Sequence, residues 1–448
     1  MKRLRKVRWG VLAGAALLQV AVPDSAAQRT RPPPPLPQPS FAPSAPPESA
    51  PARPPPASWL APEADFRVEN GRVLGPWRRS AKPLVAYFTG PNAQRHPAFT
   101  EVGEKVAARV RGRFQEIHKA DLLPSPEDEN GALLYPDGAP RVMLLIMPGG
   151  NSAFVMADLA GISDPLSADA MRRERAKFEE ARKIPQSAFQ AGMNYVGCCG
   201  GFFTAASGYD IRGTLHTGWG LWPGKVGNIG PGQRRPFPDV VFEGADSGHP
   251  LVKATSGGVL KNMYYNGGPI GVRDGAPDTE YLGKYRGGNM PELEGDWFLV
   301  AYRAADNPMG GRCVIATGHP EVNHRDFLLE MALYAVDHEI ETPVSSLQFD
   351  RPVVGLIGDE QLHFYRLDLP GAGRLTVELT GLAENCDVYL RAGRPPTPTR
   401  YDAKSEAPGA GNERIIHSAV RGGAWYVAVY GRHGVLNGAR YALTVKWN

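Results

Sequence analysis

The stretch YVGCCGGFF (residues 195–203) sets two cysteines side by side between glycines, in a chain of 448 residues that has only four cysteines. A nucleophile elbow places its reactive residue on a sharp turn between a strand and a helix. The residues two positions before and after it crowd together there and are usually glycine. Cys199 has glycine at both positions, whereas Cys198 has valine at one of them. This glycine spacing predicts that Cys199 is a nucleophile at the start of a helix and that Cys198 is a buried core residue.

The same pattern also fits a structural role for these cysteines. Both are then buried bystanders, or one of them pairs with Cys313 or Cys386 in an oxidising compartment. A base and a carboxylate elsewhere in the sequence would favour a nucleophilic Cys199 over a purely structural role.

A cysteine nucleophile needs a base and a carboxylate that orients the base. The stretch VIATGHPEVNH (residues 314–324) is an apolar strand that ends at His319 and Glu321. Two residues that are two positions apart at a strand end can project from the same side. His324 also raises the alternative of a metal site, but the stretch offers no third ligand nearby. We predict the catalytic set Cys199, His319 and Glu321 and no metal in this region.

Backbone amides are expected to hold the oxyanion that forms when a thiolate attacks a carbonyl. The amide after the nucleophile belongs to Gly200, and the glycine turn after the strand at 141–150 adds Gly149 and Gly150. The stretch MYYNGGP (residues 263–269) predicts a close approach of the backbone to the site or, equally, an ordinary tight turn. Its residues in question are Asn266, Gly267 and Gly268.

The segments around these motifs predict two folded domains. Apolar strands at 84–90 and 141–150 alternate with a helical pattern at 99–118, which is typical of an α/β domain with a flavodoxin-like parallel sheet. We assign residues 65–341 to this domain. Short alternating runs broken by Gly, Pro and Asn follow, and they predict an all-β antiparallel sandwich over 344–448.

The order of the PGG loop, the G-x-C-x-G elbow and the HPE turn resembles the class I glutamine amidotransferase-like superfamily. Within it, MPGGN, YVGCCGGFF, MYYNGGP and GHPE look most like the N-terminal domain family of biotin-protein ligases. The superfamily's glutaminases usually carry glutamine four residues after the nucleophile, where this chain has Phe203. No biotin-adenylate loop is present in the sequence. Glutaminase and biotin ligase activities are therefore not expected.

The tail segments LHFYRLDL, RLTVELTG, CDVYLRAG and AWYVAVYG resemble the bacterial pre-peptidase C-terminal domain. Such domains accompany exported enzymes. Asp387 and Asp402 are candidate ligands for a Ca²⁺ ion, although exposed aspartates in turns are the commoner explanation. No other cofactor is expected.

The N-terminal residues predict export. A basic cluster, a short apolar run and small residues make 1–27 a signal peptide, and the Pro-rich stretch 28–64 is expected to be a disordered linker. Five basic residues and Asp24 give 1–27 a net charge of +4, which equals the net charge of the whole chain. The rest is near neutral, so no nucleic-acid partner is expected. The apolar run is too short for stable membrane insertion.

Two functions follow from these patterns. The first is a secreted or periplasmic protein that hydrolyses or transfers an amide or related acyl group through a thioester on Cys199. The alternative is a non-catalytic extracytoplasmic binding module on the same fold, with a small molecule, peptide or glycan as its ligand. Activation of the thiol by His319 distinguishes the two.

Overall fold

A computed structural model describes residues 58–61, 64–90, 92–122, 131–150, 173–211, 214–228, 237–272, 275–288, 290–432, 434 and 438–448. The predicted signal peptide and most of the predicted linker lie outside these residues. The described residues all belong to one compact unit.

The described part of the first region contains fifteen strands and seven helices. The strands are β1 (Arg67–Glu69), β2 (Arg72–Gly75), β3 (Leu84–Phe88), β4 (Arg113–Ile117), β5 (Val142–Met147), β6 (Asn194–Cys198), β7 (Ala206–Ile211), β8 (Thr214–His216), β9 (Trp222–Asn228), β10 (Asp239–Val241), β11 (Val259–Leu260), β12 (Thr279–Arg286), β13 (Trp297–Tyr302), β14 (Cys313–Ala316) and β15 (Ile340–Thr342). The helices are α1 (Pro97–Arg109), α2 (Lys119–Leu122), α3 (Arg175–Gln190), α4 (Gly200–Ala205), α5 (Pro250–Lys253), α6 (Pro320–Asn323) and α7 (Arg325–Val336), with a 3₁₀ helix at Pro291–Leu293.

The main sheet has nine strands in the order β11-β10-β12-β13-β14-β6-β5-β3-β4. The five strands from β14 to β4 run parallel, and the other four pair in antiparallel fashion. The prediction of a flavodoxin-like parallel sheet is therefore wrong for nearly half of the sheet. Ten residues join β12 to β13, and ten join β13 to β14. These connections are shorter than a parallel crossover requires, so the strands must reverse direction.

Helices cover both faces of the parallel half. Every residue of β5 and β6 is buried, which explains their continuous apolar sequences. On one face, α1 and α7 contribute Phe99 and Leu328 to the core. On the other face, α3 and α4 contribute Phe189 and Phe202. The carboxyl ends of β5, β6 and β14 thus meet at one edge of a rigid, fully packed layer.

The C-terminal region is a β-sandwich, as the alternating runs predict. Its strands are β16 (Ser345–Ser346), β17 (Val353–Ile357), β18 (Leu362–Leu369), β19 (Gly373–Thr380), β20 (Cys386–Ala392), β21 (Ala403–Ser405), β22 (Glu413–Val420), β23 (Gly423–Gly431) and β24 (Ala439–Trp447). One sheet has the order β16-β18-β23-β20-β21 and the other β17-β24-β19-β22. All pairs are antiparallel except β16 with β18. The apolar residues between the two sheets form a core of their own.

A second, shared core joins the sandwich to the first region. Phe66 packs edge-on against Phe364 with ring centroids 5.5 Å apart, and Tyr389 and Tyr430 belong to the same buried cluster. One residue of the predicted linker 28–64 also takes part in the fold, because the backbone amide of Trp59 donates to Asp337 at 2.5 Å. None of the described helices combines the length and apolar character that a membrane span requires.

Candidate active site

Cys199 lies on the turn between β6 and α4. Its backbone has φ 50° and ψ −106°, a left-handed conformation that is rare outside glycine. A β-carbon on Gly197 would lie 2.8 Å from the carbonyl carbon of Gly201, and one on Gly201 would overlap the carbonyl oxygen of Met147. The two glycines therefore touch across the turn, and neither position tolerates a side chain. This crowding is the steric arrangement that a nucleophile elbow requires.

The two adjacent cysteines occupy different environments. Cys198 is fully buried in the sheet, whereas Cys199 keeps 6% of its surface exposed. Burial raises the pKa of the Cys198 thiol far above its ordinary value, and the nearby Glu321 and Cys199 add to the effect. None of the four cysteines forms a disulfide. The interpretation in which one of the pair bonds Cys313 or Cys386 is therefore not what the structure contains.

His319 and Glu321 form a buried pair beside the elbow. Strand β14 lies next to β6 with Ala316 opposite Cys198, so the residues after both strands emerge at the same edge of the sheet. His319 Nδ1 lies 2.6 Å from Glu321 Oε1, and both side chains are almost completely buried. The carboxylate thereby orients the ring, which leaves Nε2 available for a second interaction.

The free edge of the imidazole faces Cys199. A β-carbon placed on Gly149 would lie 3.0 Å from His319 Cε1 and 3.4 Å from Cys199 Cβ, so the two side chains flank one point. Among the described residues, His319 Nε2 has no hydrogen-bond partner. Burial disfavours the charged ring, but Cys199 and Glu321 outweigh burial and raise the pKa of His319 above its ordinary value. The ring therefore binds a proton more readily than a free imidazole, as a base for the neighbouring Cys199 requires.

The three predicted oxyanion glycines meet next to this pair. A β-carbon on Gly200 would overlap the carbonyl oxygen of Gly150 and lie 2.9 Å from its nitrogen, so the two backbones are in direct contact. Gly150 has φ 129°, a conformation that glycine readily adopts. The amides of Gly200 and Gly201 belong to the first turn of α4, where no carbonyl of the helix lies behind them. These amides are free to bind a developing negative charge.

The segment Asn266–Gly268 also lies at the site, but through its backbone. Cys199 Sγ lies 4.0 Å from the carbonyl oxygen of Asn266. Gly267 has φ 67°, and a β-carbon on Gly268 would overlap the carbonyl oxygen of Thr317. The glycines therefore allow this segment to pack directly against the loop that carries His319.

Aromatic residues beside the imidazole were not identified from the sequence. The ring of Tyr264 lies 5.4 Å from the His319 ring, and Phe237, which is half exposed, lies 5.3 Å from Tyr264. The amide of His319 donates to the carbonyl of Tyr264 at 2.9 Å. Tyr264 directly precedes the Tyr265–Asn266 pair within MYYNGGP, which is the only signal that marks it in the sequence.

Large aromatic residues after the elbow serve the core. Trp219 and Trp222 are buried and pack edge-on against Tyr195 and Phe202, so they anchor their loop and present no exposed platform. Phe203 is also buried and packs on Tyr209. The position where glutaminases of the resembled superfamily usually carry glutamine is thus filled by a core side chain.

The candidate metal ligands have protein partners. Asp387 is buried and pairs with Arg432 at 2.5 Å, and Asp402 accepts the amide of Ala392 at 2.8 Å. His324 contacts the carbonyl of Lys261 at 2.8 Å through Nε2. Within the described ranges, no three His, Cys, Asp or Glu side chains are arranged to hold a metal ion.

The C-terminal sandwich carries a recognisable family sequence. Residues 361–431 match the family of the bacterial pre-peptidase C-terminal domain. Over 90 residues the chain is 34% identical to alkaline serine exoprotease A of Vibrio alginolyticus, which covers 20% of this chain and 17% of that protein. The chain thus spans about a sixth of the length of this relative. The match concerns the tail domain and not the site around Cys199.

Two solved structures are similar to separate parts of the chain. The pre-peptidase C-terminal domain of a collagenase from Bacillus anthracis is 18% identical, with coverage of 23% of this chain and 95% of that one and a TM-score of 0.20. A glutamine amidotransferase is 17% identical, with coverage of 55% and 98% and a TM-score of 0.30. Both TM-scores are low, and the architecture of the first region follows from its own strand order.

Proposed function

We propose that the protein is a cysteine-dependent hydrolase or acyltransferase that acts on an amide or a related acyl compound. The observation that carries the proposal is the buried His319–Glu321 pair, whose free imidazole edge faces Cys199 on a strained turn. A purely structural cysteine needs neither an oriented base nor a left-handed backbone conformation.

The first half of the reaction acylates Cys199. The thiol gives its proton to His319 Nε2, and the thiolate attacks the substrate carbonyl to form a tetrahedral intermediate. Its oxyanion is held by backbone amides at Gly200 and in the loop of Gly149 and Gly150. When the carbon–nitrogen or carbon–oxygen bond breaks, His319 returns the proton to the leaving group and a thioester remains on Sγ.

The second half releases the acyl group. Water or an acceptor amine gives a proton to His319 and attacks the thioester, and the thiol leaves with that proton. Glu321 orients the ring and stabilises the imidazolium at each stage, as its 2.6 Å contact with Nδ1 allows. Tyr264 and Phe237 present aromatic surface beside the imidazole, which suits a substrate with an apolar part.

We also propose that the first region is of the type found in the N-terminal domain family of biotin-protein ligases, because it carries the four motifs MPGGN, YVGCCGGFF, MYYNGGP and GHPE. We further propose that the protein is exported, because its tail domain belongs to the pre-peptidase C-terminal type and the chain is similar over 90 residues to alkaline serine exoprotease A. We expect neither glutaminase nor biotin ligase activity.

A model ester tests the proposal without knowledge of the natural substrate. Mixing the full chain with p-nitrophenyl acetate should release p-nitrophenol in a burst that is equal in amount to the enzyme, and mass spectrometry should place the acetyl group on Cys199. Hydroxylamine should remove it, as expected for a thioester. Cys199→Ala should abolish the burst, whereas Cys198→Ala should retain it.

A second pair of variants separates the enzyme from a binding module. His319→Ala should slow the burst strongly, and His324→Ala, which changes a histidine in the same loop, should not. Acetylation of Cys199 at the same rate in the wild type and in His319→Ala would refute the catalytic assignment.

A further inference from the structure

A cavity of about 190 Å³ lies between the first region and the sandwich. Four segments supply most of its lining: the stretch around Trp59 and Asp65, the loop around Arg78, the end of α1, and the sandwich loop 397–400. The cavity is smaller than the roughly 300–1,000 Å³ of pockets that hold drug-sized ligands. Its size suits a small ion or a compact functional group.

The charged lining of this cavity is almost entirely basic. Four arginines line it, Arg78, Arg109, Arg111 and Arg400, and among the described lining residues Asp65 is the one acidic side chain. Arg109 is in the last turn of α1 and Arg111 lies just beyond it. Neither of these two forms an ion pair within the described part of the chain. Positive charge therefore accumulates in a small space.

The single carboxylate is already shared. Asp65 contacts Arg391 at 3.0 Å, Arg400 at 3.4 Å and Arg394 at 3.6 Å. Burial disfavours its charge, but the bond from Arg391 and the other arginines prevail and lower the pKa of Asp65. Asp65 thus stays ionised, yet it has little capacity left to neutralise the remaining arginines.

Arg78 is more deeply buried than Arg109 and Arg111. Its Nη1 donates to the carbonyl of Trp77 at 3.0 Å, and no carboxylate in the described ranges lies within ion-pair distance. Burial lowers the pKa of Arg78, the positive charges of Arg400 and, to a smaller extent, Arg111 lower it further, and Asp65 opposes the shift. The three guanidinium groups line the same cavity. Positive charges that share one small cavity repel one another, and an anion between them removes this repulsion.

We propose that this cavity binds a small oxyanion of the size of phosphate, with Arg78, Arg111 and Arg400 as its ligands. A guanidinium group offers paired N–H donors whose geometry matches the oxygens of phosphate. Three such groups around one cavity complete the hydrogen bonding of a tetrahedral anion and remove their mutual repulsion.

The cavity is separate from the site around Cys199. Helix α1 begins after the carboxyl end of β3, where the elbow lies, and ends with Arg109 at the opposite edge of the sheet. Pro83, another lining residue, directly precedes β3. A bound anion therefore contacts both the first region and the sandwich loop at Arg400 without reaching the thiol, and it holds these two parts together.

Isothermal titration calorimetry of the full chain with inorganic phosphate tests the proposal. At constant ionic strength set with chloride, phosphate should bind saturably at one site, and sulfate, which has the same shape, should compete. Arg78→Gln and Arg111→Asn should each weaken binding by about tenfold or more, since each removes charge-assisted hydrogen bonds. Asparagine suits position 111 because its φ is 55°.

Arg351→Gln is the matched control, because it removes one exposed arginine elsewhere in the sandwich and should leave phosphate binding unchanged. The proposal is overturned by the absence of saturable binding, or by equal affinity in the wild type and in Arg111→Asn, whose exposed side chain is not needed for folding. Acetylation of Cys199 should be the same with and without phosphate.

Discussion

His319 Nδ1 lies 2.6 Å from Glu321 Oε1, and the two side chains are among the most deeply buried polar groups of the protein. A buried carboxylate is costly unless it is paired, so this contact is maintained only because each partner compensates the other. The pair leaves one edge of the imidazole directed at Cys199. We therefore expect the reactivity of that thiol to depend on two residues more than 100 positions away in sequence.

The first prediction concerns which cysteine reacts. Iodoacetamide near neutral pH should modify Cys199 much faster than Cys198, because burial keeps the Cys198 thiol protonated and inaccessible. Peptide mass spectrometry of the labelled protein measures both rates. Equal or reversed labelling would contradict the elbow assignment, and Cys199→Ala should eliminate the fast phase.

The second prediction concerns the base. His319→Ala should slow the alkylation of Cys199 at pH 6.5 by at least about tenfold, because an isolated thiol is only about one per cent thiolate at that pH. Glu321→Gln should have a smaller effect, since the imidazole remains in place. His324→Ala is the control in the same loop. Unchanged rates in both active-site variants would mean that the pair does not activate the thiol in the free protein.

The third prediction concerns the space between the two side chains. In Gly149→Ala, the new methyl group would lie 3.0 Å from His319 Cε1 and 3.4 Å from Cys199 Cβ, so the imidazole must shift by a few tenths of an ångström. The p-nitrophenol burst should slow by roughly tenfold, as small misplacements of reacting groups are costly. Gly371→Ala, where the methyl group meets open space, is the control. A burst of wild-type rate would show that the imidazole does not act from this position.

The fourth prediction concerns the core shared by the two regions. Phe364→Ala should lower the free energy of unfolding by about 3–5 kcal/mol, because Phe364 is buried against Phe66. Val354→Ala, at a position that is 68% exposed, should change it by less than about 0.5 kcal/mol. Urea unfolding followed by fluorescence measures both. A chain that ends at residue 341 loses the same contact and should unfold at lower urea than the full chain.

The fifth prediction concerns pH. Burial raises the pKa of Asp387 to about 6, and Arg432 and Tyr389 only partly oppose the shift. The unfolded aspartate has a pKa near 3.9, so between about pH 4 and pH 6 the folded chain holds a proton that the unfolded chain has released. The resulting stability is present below pH 4 and is lost as the pH rises through 6.

Asp387→Asn removes this dependence and keeps the shape of the side chain. Relative to the wild type, the variant should gain on the order of 2 kcal/mol between pH 4 and pH 7, seen as a growing difference in Tm. Parallel Tm profiles of the two proteins across this range would show that Asp387 is ionised throughout.

The sequence alone predicted those features of the protein that depend only on a few neighbouring residues. The sequence identified Cys199 as the elbow residue because the steric clash that requires glycine at positions 197 and 201 depends only on the turn itself. The sequence also identified His319 and Glu321, but by the wrong geometry: β14 ends at Ala316, and the two side chains meet because His319 caps α6 and Glu321 lies in its first turn. The sandwich strands were readable from their alternation, because one face of each is buried and the other is solvated.

Tertiary structure alone decided the rest, because it depends on where distant segments meet. The connections between β12, β13 and β14 forced the antiparallel half of the sheet, which no single strand pattern reveals. Tyr264 reached His319 only through the packing of its loop. The arginine cavity unites residues from position 59 to position 400, and nothing in the sequence near any one of its arginines indicates that the fold brings the others close. Repulsion between such charges is a property of distance in space, which sequence separation does not measure.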